Sequence, residues 1–217
     1  MLNRLSHLFI TGLIIVLATF FLSLPTWAQS QLSSLEKGVE AYRQGNYQTA
    51  VETFNQVISE EQNNEAAYYF RGVSYLELGE VEKAIADQTK VIELNPENLA
   101  AYYDRALANT ELGNYENAIA DYSRALELKP DQPRIYLGRG IVYTRQGNLA
   151  EAISDYTKAL EFNSELADAY ANRGVAKAAK GEKESAIADL EMAAELYQKQ
   201  GNDELYEVVI QSIDKLD

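Results

Sequence analysis

Residues 65–98 read EAAYYFRGVSYLELGEVEKAIADQTKVIELNPEN and residues 99–132 read LAAYYDRALANTELGNYENAIADYSRALELKPDQ. Laid one over the other, the two segments align Gly79 with Gly113, Ala84 with Ala118 and Ile85 with Ile119. The register extends in both directions: Gly45, Gly79, Gly113, Gly147 and Gly181 are spaced by 34 every time. Five residues after each glycine stands Ala50, Ala84, Ala118, Ala152 or Ala186, followed by Val51, Ile85, Ile119, Ile153 or Ile187. Seven residues before it stands Gly38, Gly72, Ala106, Gly140 or Gly174, and twelve after it Val57, Val91, Ala125, Ala159 or Ala193. Small residues in those columns let two helices approach closely. Apolar steps of three and four, as in Ala84-Ile85, Gln88 and Val91-Ile92, together with the lack of any period-two stretch, predict helices and no sheet.

A 34-residue period with one glycine turn between two helical stretches is similar to the tetratricopeptide pattern. The family's fourth-position aromatic is present as Tyr68, Tyr102, Tyr136 and Tyr170, its eleventh-position aromatic as Tyr75 and Tyr143, and its late proline as Pro96 and Pro130. The resemblance runs through five units, 31–64, 65–98, 99–132, 133–166 and 167–200. The first departs at Ser34, Ala41 and Gln62 and the last at Lys177 and Gln198, as end units should. The resemblance implies an all-α chain, a right-handed α-solenoid of five helical hairpins. After Gly201-Asn202 the period stops. Asp203 is placed to cap a final helix over 203–217, whose Leu205, Val208-Val209, Ile213 and Leu216 form one apolar stripe that would cover the last hairpin.

Ahead of the repeats, Met1 to Ala28 read as an export signal: Arg4 is the only charged side chain, an apolar run extends from Leu8 to Leu22, and Thr26-Trp27-Ala28 offers small residues at a cleavage site. The mature chain would start at Gln29, in the periplasm or another extracytoplasmic compartment. The alternative is an uncleaved anchor, although the run is short of the roughly 20 residues that span a bilayer. The chain carries 19 Lys and Arg against 33 Asp and Glu, a formal charge of −14 that becomes −15 without Arg4. Phosphate-rich nucleic acid is excluded as a natural partner, and an anionic membrane face is disfavoured. With no Cys, neither a disulfide nor a lipid-attachment thiol is available.

The single histidine, His7, lies in the export segment, so the repeats have neither His nor Cys for a typical zinc site or a nucleophilic triad. We expect no catalytic residue, no metal, no cofactor and no enzyme activity. Abundant carboxylates fall on solvent faces and suggest no acid/base pair. Gly138 and Gly140 form a lone GxG inside a predicted helix, where they read as packing positions rather than a phosphate cradle.

One recurrent pair is more informative. Arg71, Arg105, Arg139 and Arg173 each precede, by sixteen residues, Asp87, Asp121, Asp155 and Asp189, while Lys37 and Thr53 take those columns in the first unit. The turn glycine lies eight residues from each member, so closing the hairpin brings them to one height on antiparallel helices. Recurrence in every later unit suits a structural ion pair better than a row of arginines facing an acidic ligand. Tyrosine is heavily used, 15 in all, and its repeat-period spacing in an acidic chain suits core packing rather than base stacking.

The resemblance further implies a concave groove lined by the first helix of each hairpin. Its positions here are Leu35, Val39 and Tyr42, then Tyr69, Phe70, Val73 and Leu76, then Tyr103, Asp104 and Leu107, and finally Arg134, Leu137, Ile141 and Arg145. Such a strip would take a protein or peptide ligand, with Tyr and Arg as hot spots. The chaperone-binding branch of the family clamps a terminal carboxylate with Lys and Asn. Here the fifth positions are Leu35, Tyr69, Tyr103, Leu137 and Ala171 and the ninth are Val39, Val73, Leu107, Ile141 and Val175, so acidic chaperone tails are not expected. The sequence therefore reads as a non-catalytic binding scaffold that assists assembly or positioning of an envelope or membrane complex. A self-associating module, for which the sequence gives no specific indication, and a carboxylate-only hydrolase are the alternatives.

Overall fold

The computed structural model describes residues 26–216. Among them are eleven helices and no strand: α1 Thr26–Arg43, α2 Tyr47–Glu60, α3 Glu65–Glu77, α4 Val81–Leu94, α5 Leu99–Glu111, α6 Tyr115–Leu128, α7 Pro133–Arg145, α8 Leu149–Phe162, α9 Ala167–Ala179, α10 Lys183–Lys199 and α11 Asp203–Asp214. They alternate as the first and second helices of five hairpins, with α11 left over. The export segment lies outside the described residues except for Thr26, Trp27 and Ala28, which open α1. No described helix is long and apolar enough to cross a membrane.

The turn glycines take φ between +69° and +81°, and Gly201 joins them as a sixth. At Gly45 the amide donates to the Tyr42 carbonyl at 3.0 Å and the next amide, of Asn46, reaches back to Ala41 at 2.8 Å. The same double closure recurs at Gly79, Gly147, Gly181 and Gly201. It satisfies carbonyls that the helix end leaves open, and it needs a left-handed residue that costs any side chain but glycine roughly 1–2 kcal/mol.

Helix starts are less uniform. Asn64 and Asn98 cap α3 and α5 with side-chain oxygens that accept from Ala67 and Ala101 at 2.9 and 3.0 Å. The expectation that Asp203 caps the last helix is corrected: Asn202 accepts from the Leu205 amide, and Asp203 and Glu204 fill the first turn, where acids complement the helix dipole.

The chain divides into two compact units, up to Leu112 and from Gly113 onward. In the first, the core gathers Leu35, Val39, Tyr42, Phe54, Val57, Tyr69, Phe70, Val73 and Val91. Phe54 stacks on Phe70 at 5.9 Å and Tyr69 meets Phe70 edge-on at 5.4 Å. In the second, Gly140 shows why its column must stay small: a Cβ there would lie 2.6 Å from the Tyr156 ring. Gly138 likewise lies against Tyr122, so both members of the lone GxG are packing positions. Leu205, Val209 and Ile213 of α11, with Leu216 just beyond it, pack with Leu196 and Tyr197 of α10, which closes that end. Val208, assigned to the same stripe by sequence, is 53% exposed and faces away.

Candidate functional site

Two sets of side chains carry the chemistry of this molecule: an arginine ladder and the faces of the first helices. The ladder begins with the sixteen-residue pairs. Arg71 donates from Nε and Nη2 to both carboxylate oxygens of Asp87 at 2.7 and 2.6 Å. Arg139 does the same to Asp155 at 2.8 and 2.9 Å, and Arg173 to Asp189 at 2.8 and 2.7 Å. The structure thus brings together three of the expected pairs; Arg105 and Asp121 belong to different units. In the first hairpin the Thr53 hydroxyl turns back to its own helix, at the Thr49 carbonyl.

Each guanidinium does more than the sequence reading assigned to it. Its remaining nitrogen, Nη1, reaches the second helix of the preceding hairpin: Arg71 to Asn55 at 2.6 Å, Arg105 to Thr89 at 3.0 Å, Arg139 to Ser123 at 2.8 Å and Arg173 to Thr157 at 3.1 Å. These acceptors are themselves 34 apart and lie sixteen residues before their arginine, a column that sequence reading missed because Asn, Thr and Ser look interchangeable with surface. The guanidinium planes also sit over aromatic rings, Arg71 over Tyr68 and Tyr75 at 5.3 and 5.9 Å and Arg139 over Tyr136 and Tyr143 at 5.8 and 6.0 Å. Tyr68, Tyr136 and Tyr170 are half-buried and pack against the core while also supporting an arginine, and Tyr102 in the same column is buried.

The clamps differ in charge balance. Burial raises the Asp87 carboxyl above its ordinary range in spite of Arg71. Burial acts on Asp189 too, but there the bonds and charges of Arg173 and Lys177 together outweigh it and lower the carboxyl. Lys177, which replaces the aromatic of Tyr75 and Tyr143, supplies that second cation at 2.7 Å.

The first-helix faces separate the sequence-assigned groove residues sharply. In the unit ending at Leu112, Leu35, Val39, Tyr42, Tyr69, Phe70, Val73, Tyr103 and Asp104 are all buried, and only Leu76 and Leu107 remain partly accessible. Most of that apolar strip is core. Asp104 lies within it as a buried carboxyl to which the Tyr69 hydroxyl donates; burial raises it to about 7, while the Tyr69 bond pulls the other way. Its Oδ2 has no hydrogen-bond partner among the described residues.

In the unit starting at Gly113, Arg134 and Arg145 are exposed and Leu137 and Ile141 half-buried, all on one face of α7. The neighbouring α9 touches α7 and presents Val175, 51% exposed, one period after Ile141. Among the described residues, no group of three or more His, Cys, Asp or Glu is arranged to hold a metal ion.

Comparison with known proteins places this architecture. A TPR repeat model matches residues 108–147 and 140–181, a tetratricopeptide repeat model matches 167–204, and the model of the anaphase-promoting complex, cyclosome, subunit 3 matches 43–125. No curated protein sequence matches the chain. Among solved structures, a MamA crystal structure is 26% identical with a TM-score of 0.73, over 76% of this chain and 96% of that one. MamA from Desulfovibrio magneticus RS-1 is 20% identical with a TM-score of 0.75, over 78% and 96%. YrrB, a TPR protein with an unusual peptide-binding site, is 22% identical with a TM-score of 0.67, over 75% and 84%. With its helical hairpins, its glycine turns and these matches, the chain belongs to the tetratricopeptide-repeat family and is an all-α, helical-hairpin solenoid in class.

Proposed function

We propose that this chain is a non-catalytic scaffold that binds a protein or peptide outside the cytoplasm and assists assembly or positioning of an envelope or membrane complex. The observation that carries the reading is the α7 and α9 face, where exposed Arg134, Arg145 and Val175 flank half-buried Leu137 and Ile141 on rigid helices. Arginine is enriched among binding hot spots, and the aliphatic residues beside it can serve as the surrounding contacts that exclude water. The fold shared with YrrB, a protein with a peptide-binding site, agrees with such use. The export reading rests on Arg4, the apolar run to Leu22 and the small residues before Gln29.

Crosslinking of the full chain in its native host, followed by mass spectrometry and cell fractionation, tests both parts. Recovery of a protein partner in the envelope fraction is the expected result. A chain found only in the cytoplasm would overturn the location, and failure to recover any partner would overturn the scaffold role.

A further inference from the structure

Resting on that scaffold reading, we propose that the α7 and α9 face takes an extended, acidic segment of a partner protein, in which two carboxylates bracket two aliphatic side chains.

Arg134, Leu137, Ile141 and Arg145 follow one another at steps of three, four and four residues, which keeps them on one side of α7. At 1.5 Å per residue the two arginines are about 16 Å apart along the axis, and Leu137 and Ile141 between them about 6 Å apart. An extended segment places alternate side chains on one face at about 6.6 Å intervals. Two aliphatic side chains at that pitch match Leu137 and Ile141. Acids one step beyond each, about 20 Å apart, fall within reach of two long, flexible guanidinium arms. Val175, one period along on α9, widens the apolar floor. Because the recognised carboxylates are side chains, the site needs no free C-terminus.

Charge makes the assignment selective. The chain as a whole carries −14, and the groove positions of the first unit hold no base at all. Arg134 stands directly after Pro133 in the first turn of α7, where the helix dipole disfavours a cation. Its guanidinium has neither an ion pair nor a hydrogen bond among the described residues. Helix stability alone argues against an arginine there, and an anionic ligand accounts for it.

The test uses three labelled, C-terminally amidated peptides and fluorescence anisotropy with the full chain: Asp-Ser-Leu-Ser-Leu-Ser-Asp and its counterparts with Asn or Lys in place of both Asp. The acidic peptide should bind at least fivefold tighter than the Asn peptide at 50 mM salt. That margin should disappear at 500 mM salt and in the R134E/R145E double variant, which should keep a cooperative thermal transition. Equal or tighter binding of the Asn or Lys peptide, an unchanged margin in the double variant, or no binding by any of the three would overturn the proposal. Crosslinking in the host separates this failure from that of the scaffold reading. If the wild-type chain and the double variant capture the same partner equally, the acidic segment is wrong and the scaffold stands. If neither captures a partner, the scaffold reading falls.

Discussion

The first-helix faces of the two units treat two shared repeat positions differently: Tyr69 and Val73 are buried, whereas Leu137 and Ile141 in the same columns are half-covered. In the first unit, Tyr42, Tyr69, Phe70 and Val73 turn that face into core and bury a lone carboxyl, Asp104, among them. In the second, the face of α7 keeps its arginines in solvent and its aliphatic residues half-covered. A repeat position thus does not have a fixed role: bulk at neighbouring positions decides whether it packs or presents.

The largest test of that difference is truncation. Phe70→Ala should destabilise the chain by about 3–5 kcal/mol in urea unfolding, since a fully buried ring is removed, whereas Ile141→Ala should cost roughly 1 kcal/mol. Equal losses would break the contrast.

Asp104 gives a pH signature that belongs to the first unit alone. Its folded carboxyl is raised from 3.8 to about 7, so the folded chain holds a proton that the unfolded chain releases earlier. Stability from this group is full below about 4 and is lost as pH rises toward 7 and above. Asp104→Asn should therefore flatten the pH dependence between 4 and 8 and stabilise at pH 8, by up to about 4 kcal/mol. A stability profile identical to wild type across that range would refute the assignment.

The clamps provide the next contrast. Asp189 has a lowered carboxyl, so its contribution is present above the unfolded value of 3.8 and is lost as pH falls below it through the folded value. Asp189→Asn leaves Arg173 and Lys177 facing one another at neutral pH and should cost about 2–3 kcal/mol. Asp87→Asn leaves only Arg71, which keeps its bond to Asn55, and should cost less. Thermal melts at pH 7 rank the two. The smallest effect is a gain: Gln88 is fully buried with neither amide atom bonded among the described residues, in the column occupied elsewhere by Phe54, Tyr122, Tyr156 and Leu190. Gln88→Leu should stabilise by about 1–2 kcal/mol, and a loss instead would mean that the amide has an unseen role.

Much of the fold was legible because a period of 34 shows in glycine, alanine and isoleucine columns that each obey one steric rule. The arginine–aspartate register followed from the turn alone. The candidate site was less legible. Buried and presented apolar residues share the same helical spacing, so Phe70 and Leu137 looked alike until their neighbours were in place. Asp104 stood in the strip as an ordinary polar member, since nothing in sequence reports that it is buried with the Tyr69 hydroxyl donating to it. The acceptor column Asn55, Thr89, Ser123 and Thr157 escaped notice because three residue types perform one task, and Asn202 was passed over for Asp203 because both are good caps one residue apart.

The ladder has an evolutionary corollary. Arg71, Arg139 and Arg173 each take one acceptor sixteen residues behind and another sixteen ahead, a reach of 32 that fits inside one 34-residue period. A gene segment of one period, cut at any phase and copied in tandem, would bring along a complete set of donors and acceptors. No new arginine would be orphaned and no old one displaced, so the array can lengthen or shorten by whole hairpins without the intermediate that usually blocks such change: a buried charge waiting for a partner to evolve.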